Sequence, residues 1–341
     1  MRRYRWLGAV LAIAAMTAVA CGNNDDNGTV KGGGQSTPST EAKPTFAAGT
    51  TMANIQAKGK LTVGVKFDQP GFGQRNPTTN DIEGFDVEVA KLIAVGIFGG
   101  TVNDLGNKIA FTEAQSANRE PFIQNGTVDM VVATYTINDA RKQVVDFAGP
   151  YFIAHQDIMV KASDNTIKSV NDLNGKKVCS VTGSTSANNV KAKAPQADLT
   201  LFGTYSDCAA ALGDGRVVAV TTDAPILGGL VSTSNGQFKL VKAPFTDEPY
   251  GIGLKKGDQA FRDFVNDRLE AIYRSGEWAA AFSRTLGKIG LDTPTPPPVD
   301  RYTSAGAGTT TSVAGSVAGG AGLSSTTTLV APTSSTSTSR P

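Results

Sequence analysis

Residues 129–151 constrain the fold of this chain most strongly. The apolar run at 130–133 is too short for a helix and shows no alternation, which is typical of a parallel strand buried on both faces. The polar residues that follow are Thr134, Thr136 and Arg141. Ligands collect at the carboxyl ends of parallel strands, and a guanidinium with nearby hydroxyls matches the oxygens of a carboxylate. The pattern predicts a carboxylate site, although an ordinary strand end followed by a surface arginine would look the same.

The order of residue types in this segment resembles the extracytoplasmic amino-acid-binding proteins that feed ABC importers. In that family a small residue or threonine, an isoleucine and a polar residue come in this order before an arginine. A Val-Asp-Phe turn follows the arginine, as it does here. The resemblance continues at residues 84–87 and 248–252 and covers about residues 55–288. It implies an α/β fold with two lobes, the type II periplasmic-binding-protein-like clamshell, whose lobes are joined by two crossing hinge strands.

Strands and helices alternate through the central part of the chain, which predicts parallel sheets covered by helices. A strand is expected at residues 61–67, for example, and an amphipathic helix begins near Phe85. We expect a first lobe of residues 55–153 plus 250–288 and a second lobe of residues 154–249. Two connections between lobes permit closure around a hinge.

The N-terminus has the pattern of a secretory signal over residues 1–20, with three arginines, an apolar stretch and then small residues. Cys21 lies between Ala20 and Gly22 and resembles the lipidated cysteine of bacterial lipoproteins. An ordinary cleavage site beside a cysteine is the alternative. We expect a lipid anchor at Cys21 that holds the protein on the outer face of the bacterial cell membrane.

Two flanking segments have too few large apolar side chains to form a core. Residues 21–54 are rich in Gly, Ser and Thr over most of their length and are expected to be a flexible linker to the lipid. Residues 289–341 combine proline repeats with Thr, Ser, Ala and Gly and are expected to be a disordered tail. The family resemblance does not extend to this tail.

The remaining cysteines, Cys179 and Cys208, form an even pair in an oxidising compartment, which predicts a disulfide. Such a bridge would contribute on the order of 3 kcal/mol to the free energy of unfolding. Two buried free thiols are the alternative.

The charge balance gives no indication of a nucleic-acid partner. Loss of the three signal arginines would lower the formal net charge from +2 to −1.

By the resemblance, a set of residues at strand ends and one helix start binds the charged groups of a free amino acid. They are Arg141, Thr136, Thr134, Thr185, Ser184 and Asp223. Arg141 would hold the α-carboxylate, assisted by Thr136 and Thr185, while the Thr134 carbonyl and Asp223 would accept from the ammonium. Glycine and hydroxyl residues before Thr185 also suit an anion site at a helix start. A turn or capping role is the alternative for Asp223.

Ligand specificity is indicated where the chain departs from its relatives. Many relatives carry an acidic residue at the end of the first strand, where this chain has Lys66, and aromatic residues at positions aligned with Gln69 and Ser116. Lys66 and Arg75 could both address a second carboxylate, which points to glutamate or aspartate. Solvated surface cations are the alternative.

These features predict an amino-acid-binding lipoprotein, acting as a monomer, that delivers glutamate or aspartate, or else glutamine, to the transmembrane subunits of an ABC importer. We expect no cofactor and no metal, since His155 is the single histidine. The alternatives are a sensor that presents its ligand to a membrane receptor and, on the same fold, a dehydratase. An enzyme would need a cleft residue acting as general acid or base, whereas Asp223 and Arg141 are better explained as ligand contacts.

Overall fold

The computed structural model describes residues 40–302, in which strands and helices alternate as the sequence predicts. The helices are α1 (Thr51–Lys58), α2 (Phe85–Phe98), α3 (Arg119–Gln124), α4 (Asp139–Lys142), α5 (Thr185–Lys193), α6 (Tyr205–Gly213), α7 (Ala224–Ser232), α8 (Gln259–Ser275) and α9 (Glu277–Arg284). The strands are β1 (Leu61–Val65), β2 (Asp68–Gln69), β3 (Gly73–Arg75), β4 (Ile82–Glu83), β5 (Ile109–Glu113), β6 (Met130–Val131), β7 (Val145–Lys161), β8 (Lys177–Val181), β9 (Asp198–Phe202), β10 (Ala219–Asp223), β11 (Phe238–Leu240) and β12 (Thr246–Lys255).

One sheet runs through both halves of the described chain, in the order β5-β1-β6-β12-β7-β10-β8-β9, with β11 also paired to β7. β1 lies parallel to β5 and β6, and β8 lies parallel to β9 and β10. The antiparallel strands β7 and β12 pass between these two parallel sections. We call the section around β1 the first lobe and the section around β10 the second lobe. The predicted two-lobed α/β clamshell with two crossing strands is confirmed.

The hinge between the lobes lies where the pairing of β7 with β12 changes register. Residues 252–255 of β12 pair with residues 145–148 of β7, and residues 246–250 pair with residues 152–156. The shift falls between Tyr250 and Ile252.

An apolar stripe on α8 packs into the first lobe. Phe261, Val265 and Leu269 are buried, because residues spaced by four lie on one face of a helix. Phe264 is only half-buried and packs edge to face on Phe46, with ring centroids 5.3 Å apart. The helix therefore has two apolar contacts, one with the core and one with the N-terminal segment.

The packed part of the chain extends beyond the limits that we expected on both sides. Residue Glu41 forms an isolated β-bridge with Gly100, and Arg301 makes an ion pair with Asp267 at 2.6 Å. The expected linker through residue 54 and the expected tail from residue 289 are therefore corrected for residues 40–54 and 289–302. Composition identifies segments without a core of their own but says nothing about docking onto another core.

The N-terminal signal and Cys21 lie outside the described residues. In the part of the chain that the structure describes, no helix combines the length and apolar character needed to span a membrane.

The predicted disulfide is present between Cys179 in β8 and Cys208 in α6, with a Cα–Cα distance of 5.5 Å. Both cysteines are fully buried. The bridge fixes α6 to the sheet of the second lobe. The start of this helix faces the first lobe, so the disulfide also helps to define the surface where the lobes meet.

Candidate functional site

Polar groups from the ends of three strands and from the start of α5 converge between the lobes. They enclose a cavity of about 10 Å³ lined by Ser116, Arg119, Thr134, Ser184, Thr185, Ser186, Tyr205, Thr222, Asp223 and Ile226. Four of the residues predicted from the sequence, namely Thr134, Ser184, Thr185 and Asp223, are therefore brought together. A volume of this size holds about one water molecule, so an amino acid can enter only after the lobes move apart.

Arg119 places a positive charge on the cavity wall, although it is only 2% exposed. Its Nη1 donates to the carbonyl oxygens of Ala133 (3.1 Å) and Thr134 (3.2 Å), and its Nε donates to the carbonyl of Ser116 (3.2 Å). Nη2 reaches the carbonyl of Gly183 in the second lobe at 3.4 Å. These bonds fix the guanidinium and leave part of its fork facing the cavity.

Arg119 is a cavity residue that we did not predict from the sequence. It follows the end of β5 just as Arg141 follows the end of β6, and β5 and β6 flank β1. The same rule about carboxyl ends of parallel strands applies to both arginines. The signal was present, but the helical start around Arg119 looks like an ordinary exposed segment.

Arg141 lies close to the cavity without lining it. The side chain of Asn138 caps α4 by accepting from the Arg141 N–H, and this places the arginine beneath the cleft. Its Nη1 donates to the Thr136 carbonyl at 2.7 Å and its Nη2 to the Gly183 carbonyl at 3.1 Å, while Glu120 lies 3.3 Å from Nε. Burial and the charge of Arg119 lower the pKa of Arg141 to about 10, so the guanidinium stays protonated at neutral pH.

Glu248 joins the two lobes next to the cavity. Its Oε2 accepts from the hydroxyls of Thr136 (2.7 Å) and Thr185 (2.8 Å), which come from opposite lobes. Its Oε1 accepts from Asn189 and Thr246, each at 2.8 Å. Because both threonine hydroxyls donate to Glu248, neither hydroxyl hydrogen is available to a ligand in this arrangement. The sequence marked residue 248 only as part of the family resemblance.

Thr134 has an unusual backbone conformation for a β-branched residue, with φ at 43°. Its N–H donates to the carboxylate of Asp86 at 2.9 Å, and its hydroxyl donates to Gln69 at 3.0 Å. Its carbonyl accepts from Arg119, so the ammonium-binding role that we expected for this carbonyl stays a prediction. The strained conformation of Thr134 lies just after β6, where the chain turns to run along the cavity wall.

Lys66 is buried at the end of β1, and its Nζ donates to the hydroxyl of Ser116 at 2.9 Å. Burial, together with the positive charge of Arg119, lowers the pKa of Lys66 to about 7. Burial raises the pKa of nearby Asp86 to about 7, although Tyr151 donates a hydrogen bond to it at 2.6 Å. Lys66 therefore reaches the cavity only through the lining residue Ser116, and a negative charge near this position would stabilise its protonated form.

Asp223 lies at the end of β10 on the second-lobe side, 3% exposed. Tyr250 donates to its Oδ2, whereas its buried Oδ1 has no hydrogen-bond partner among the described residues. Burial, and then the negative charge of Glu248, raise the pKa of Asp223 to about 7. A buried carboxylate oxygen without a partner is costly, so this atom suits a cationic donor from a ligand.

Arg75 and Gln69 take different positions from those that we expected. Arg75 is exposed in β3, donates to the Asn80 side chain at 2.7 Å and stacks over Phe67. The structure does not bring Arg75 to the cavity. Gln69 is buried behind Thr134, and its Nε2 has no partner among the described residues.

Two further contacts join the lobes outside the cavity. The N–H of Tyr205, at the start of α6, donates to the Asp68 carboxylate at 2.8 Å, and the Ser206 hydroxyl donates to the Asp68 carbonyl at 3.1 Å. At Gly229 in α7 a Cβ atom would lie 2.3 Å from the carbonyl oxygen of Pro70. The lobes therefore meet at backbone contact distance beside the ligand site.

Comparisons with known proteins agree with this architecture. The chain is 40% identical over 299 residues to the glutamate-binding protein GluB of Corynebacterium glutamicum, covering 84% of this chain and 92% of that one. It is 38% identical over 287 residues to the ABC transporter glutamine-binding protein GlnH of Bacillus subtilis, covering 84% of this chain and 98% of that one. Among solved structures, an ancestral arginine-binding protein bound to glutamine matches with a TM-score of 0.62 and 36% identity, covering 67% of this chain and 98% of that one.

The family model described as bacterial extracellular solute-binding proteins, family 3, matches residues 61–288. These residues include both lobes, the two crossing strands and every lining residue of the cavity. The chain therefore belongs to family 3 of the bacterial extracellular solute-binding proteins.

Proposed function

We propose that this protein binds an acidic amino acid, glutamate or aspartate, in the cleft between its lobes and delivers it to the transmembrane subunits of an ABC importer. The observation that carries the proposal is the charge arrangement of the cavity. Arg119 and Ser116, which accepts a hydrogen bond from Lys66, line the first-lobe side, and Asp223 lines the second-lobe side with an unpartnered oxygen.

The main-chain groups of the ligand meet complementary partners. Asp223 Oδ1 accepts from the ammonium, which restores the hydrogen bond that this buried atom lacks. The α-carboxylate lies against the start of α5, where Thr185 and Ser186 offer N–H groups of a first helical turn that have no intrahelical partner. Arg141 supplies the charge beneath this site, since each of its terminal nitrogens carries a second N–H.

The side-chain carboxylate is bound by Arg119, Lys66 and Ser116. We propose Arg119 in the role that the sequence suggested for Arg75, because Arg119 lines the cavity and Arg75 is exposed. A ligand carboxylate here would accept from the buried ammonium of Lys66, whose hydrogen-bond partner is otherwise the Ser116 hydroxyl. Its negative charge would also offset the repulsion between Lys66 and Arg119. Glutamine would place an uncharged amide in the same position and leave Lys66 with only the acidic side chains that already act on it, those of Asp68, Asp86 and Glu113.

The remaining parts of the proposal concern how the protein works in the cell. Lobes of residues 55–153 plus 250–288 and residues 154–249 close on the ligand as a monomer, and the permease recognises the closed form. Lipidation of Cys21 holds the protein at the outer face of the membrane. The passage of β7 and β12 between the two parallel sections of the sheet supports a division into two lobes.

Calorimetric titration with glutamate, aspartate, glutamine and asparagine tests the function. We expect Lys66→Met to remove the preference for glutamate over glutamine, while the matched exposed-cation variant Arg75→Ala retains it. If Lys66→Met leaves the ratio of the glutamate and glutamine dissociation constants unchanged, the proposed preference for an acidic ligand through Lys66 is wrong, even if the protein binds amino acids. If none of the four ligands binds, the amino-acid assignment itself fails.

A further inference from the structure

The family match ends at residue 288, yet the described chain continues in contact with the first lobe to residue 302. We call residues 291–302 the C-terminal strap. We propose that the strap is a positioning element of the ligand cleft, which holds the hinge part of β7 and the helix of Arg141 in the geometry that binding requires. The inference rests on the proposed ligand site but concerns residues outside the family match.

The strap covers an edge of β7 where the hinge begins. The N–H of Phe147 donates to the Tyr302 hydroxyl at 2.8 Å, and the N–H of Asp300 donates to the Gly149 carbonyl at 2.8 Å. Asn266 of α8 accepts from the Gly149 N–H at 2.9 Å. Among the described strands, β12 alone pairs with this part of β7. Without the strap, the Phe147 N–H and the Gly149 carbonyl at this strand edge would lose their partners, while Asn266 would keep its bond from the Gly149 N–H.

The strap also contacts α4, the helix that contains Arg141. The Tyr302 ring lies between Lys142 Nζ, 4.2 Å from its centroid, and the Arg262 guanidinium, 4.5 Å from its centroid. Lys142 Nζ is also 3.9 Å from the Asp300 carboxylate. Because α4 has only 4 residues, it has little stability of its own and tertiary contacts set its orientation. The strap therefore acts on Arg141 through the neighbouring residue.

The outer side of the strap is tied to α8. Arg301 pairs with Asp267 at 2.6 Å and with Glu270 at 3.1 Å, both on that helix. One short segment thus links α8, α4 and the hinge strand of the first lobe. A hinge whose first-lobe end is held in this way samples fewer open conformations, and a smaller open ensemble lowers the entropic cost of ligand binding.

The test compares the full chain with chains that end at residue 302 and at residue 290. L-Glutamate titrations well below the melting temperatures should give the same dissociation constant for the full chain and the 302 chain. The 290 chain should bind about tenfold more weakly. A 290 chain that melts earlier but binds equally well would overturn the proposal, because the strap would then stabilise the fold alone.

Single substitutions in the full chain keep the test decisive if the 290 chain does not fold. Tyr302→Phe removes the acceptor for Phe147 but keeps the ring between its two cations, whereas Tyr302→Ala removes both. We expect faster hydrogen exchange at the Phe147 amide in both variants and weaker binding in the order Tyr302→Ala, Tyr302→Phe, wild type. Asp292→Ala, at an exposed strap residue, is the control and should match wild type. Equal binding by wild type and Tyr302→Ala would refute the inference.

Spin labels at the exposed positions Lys108 and Lys191, one in each lobe, separate this inference from the ligand assignment. Without ligand, Tyr302→Ala should broaden the distribution of distances between the labels. If no amino acid binds to the full chain, the proposed function fails, and this distribution still decides the role of the strap. An unchanged distribution would overturn it.

Discussion

Asp68 accepts a hydrogen bond across the interface between the lobes, so its replacement should weaken ligand binding even though it does not line the cavity. Its carboxylate meets the Tyr205 N–H at 2.8 Å, at the positive end of α6. The Ser206 hydroxyl bonds separately to the Asp68 carbonyl at 3.1 Å. Both bonds join different lobes and are lost on opening, so they stabilise the closed form alone.

The magnitude follows from these contacts. The hydrogen bond to the Tyr205 N–H contributes about 1 kcal/mol net, and a carboxylate at a helix N-terminus adds about 1 kcal/mol. Loss of about 2 kcal/mol changes the equilibrium between closed and open forms about 30-fold. Asp68→Ala should therefore raise the dissociation constant about 30-fold. Ser206→Ala removes one neutral hydrogen bond, about 1 kcal/mol, and should raise it about fivefold.

Titration of each variant with both glutamate and glutamine distinguishes an effect on lobe closure from an effect on the charge of Lys66. The negative charge of Asp68 opposes the lowering of the Lys66 pKa that burial causes. If Asp68→Ala acted by reducing the charge of Lys66, it would weaken glutamate binding selectively. Loss of the interlobe bond weakens both ligands equally. If Asp68→Ala binds both ligands within about twofold of wild type, the bond does not contribute to closure and the reasoning fails.

Three further predictions use other parts of the structure. The raised pKa of Asp223, about 7, means that a ligand ammonium favours the ionised form, so glutamine affinity should rise about tenfold from about pH 6 to about pH 8. Asp223→Asn should bind glutamine weakly and with an affinity that does not change with pH. In the unliganded wild type, the raised pKa of Asp223 should lower the free energy of unfolding as pH rises from about 4 towards 7. Replacing Cys179 and Cys208 together by alanine should lower the free energy of unfolding by about 3 to 4 kcal/mol in urea titrations, given their sequence separation of 29, and equal stability would contradict the bridge. Arg75→Ala should change glutamate affinity less than twofold, about 0.4 kcal/mol, and a larger loss would restore this exposed arginine to the ligand site.

The local chemistry of strand ends predicted much of the cavity. Thr134 follows β6 and Asp223 ends β10, and in each lobe the parallel strands bring their carboxyl ends to one side of the sheet. Ser184 precedes the helix that it caps, so its position was readable from residue type and spacing. In these cases the determinant lies within a few residues of the side chain that it positions.

Burial of individual cations could not be predicted in this way. Lys66 and Arg75 are nine positions apart in one polar segment, yet Lys66 is 3% exposed and Arg75 lies on the surface. The difference arises because β2, β3 and β4 form a small separate sheet that turns Arg75 outward. Tyr302 shows the same limit: its docking depends on Phe147 and Lys142, more than 150 residues earlier in the chain.

The close approach of Gly229 to Pro70 gives a way to hold the protein open. Alanine is a better helix former than glycine, so Gly229→Ala should leave α7 intact, but its methyl carbon would lie 2.3 Å from a backbone oxygen of the opposite lobe. One methyl group would then act as a wedge against closure while leaving every ligand contact of the individual lobes in place. Under the proposed function such a variant would not reach the closed form that the permease recognises, so it should support no uptake and should leave uptake by co-expressed wild type unchanged.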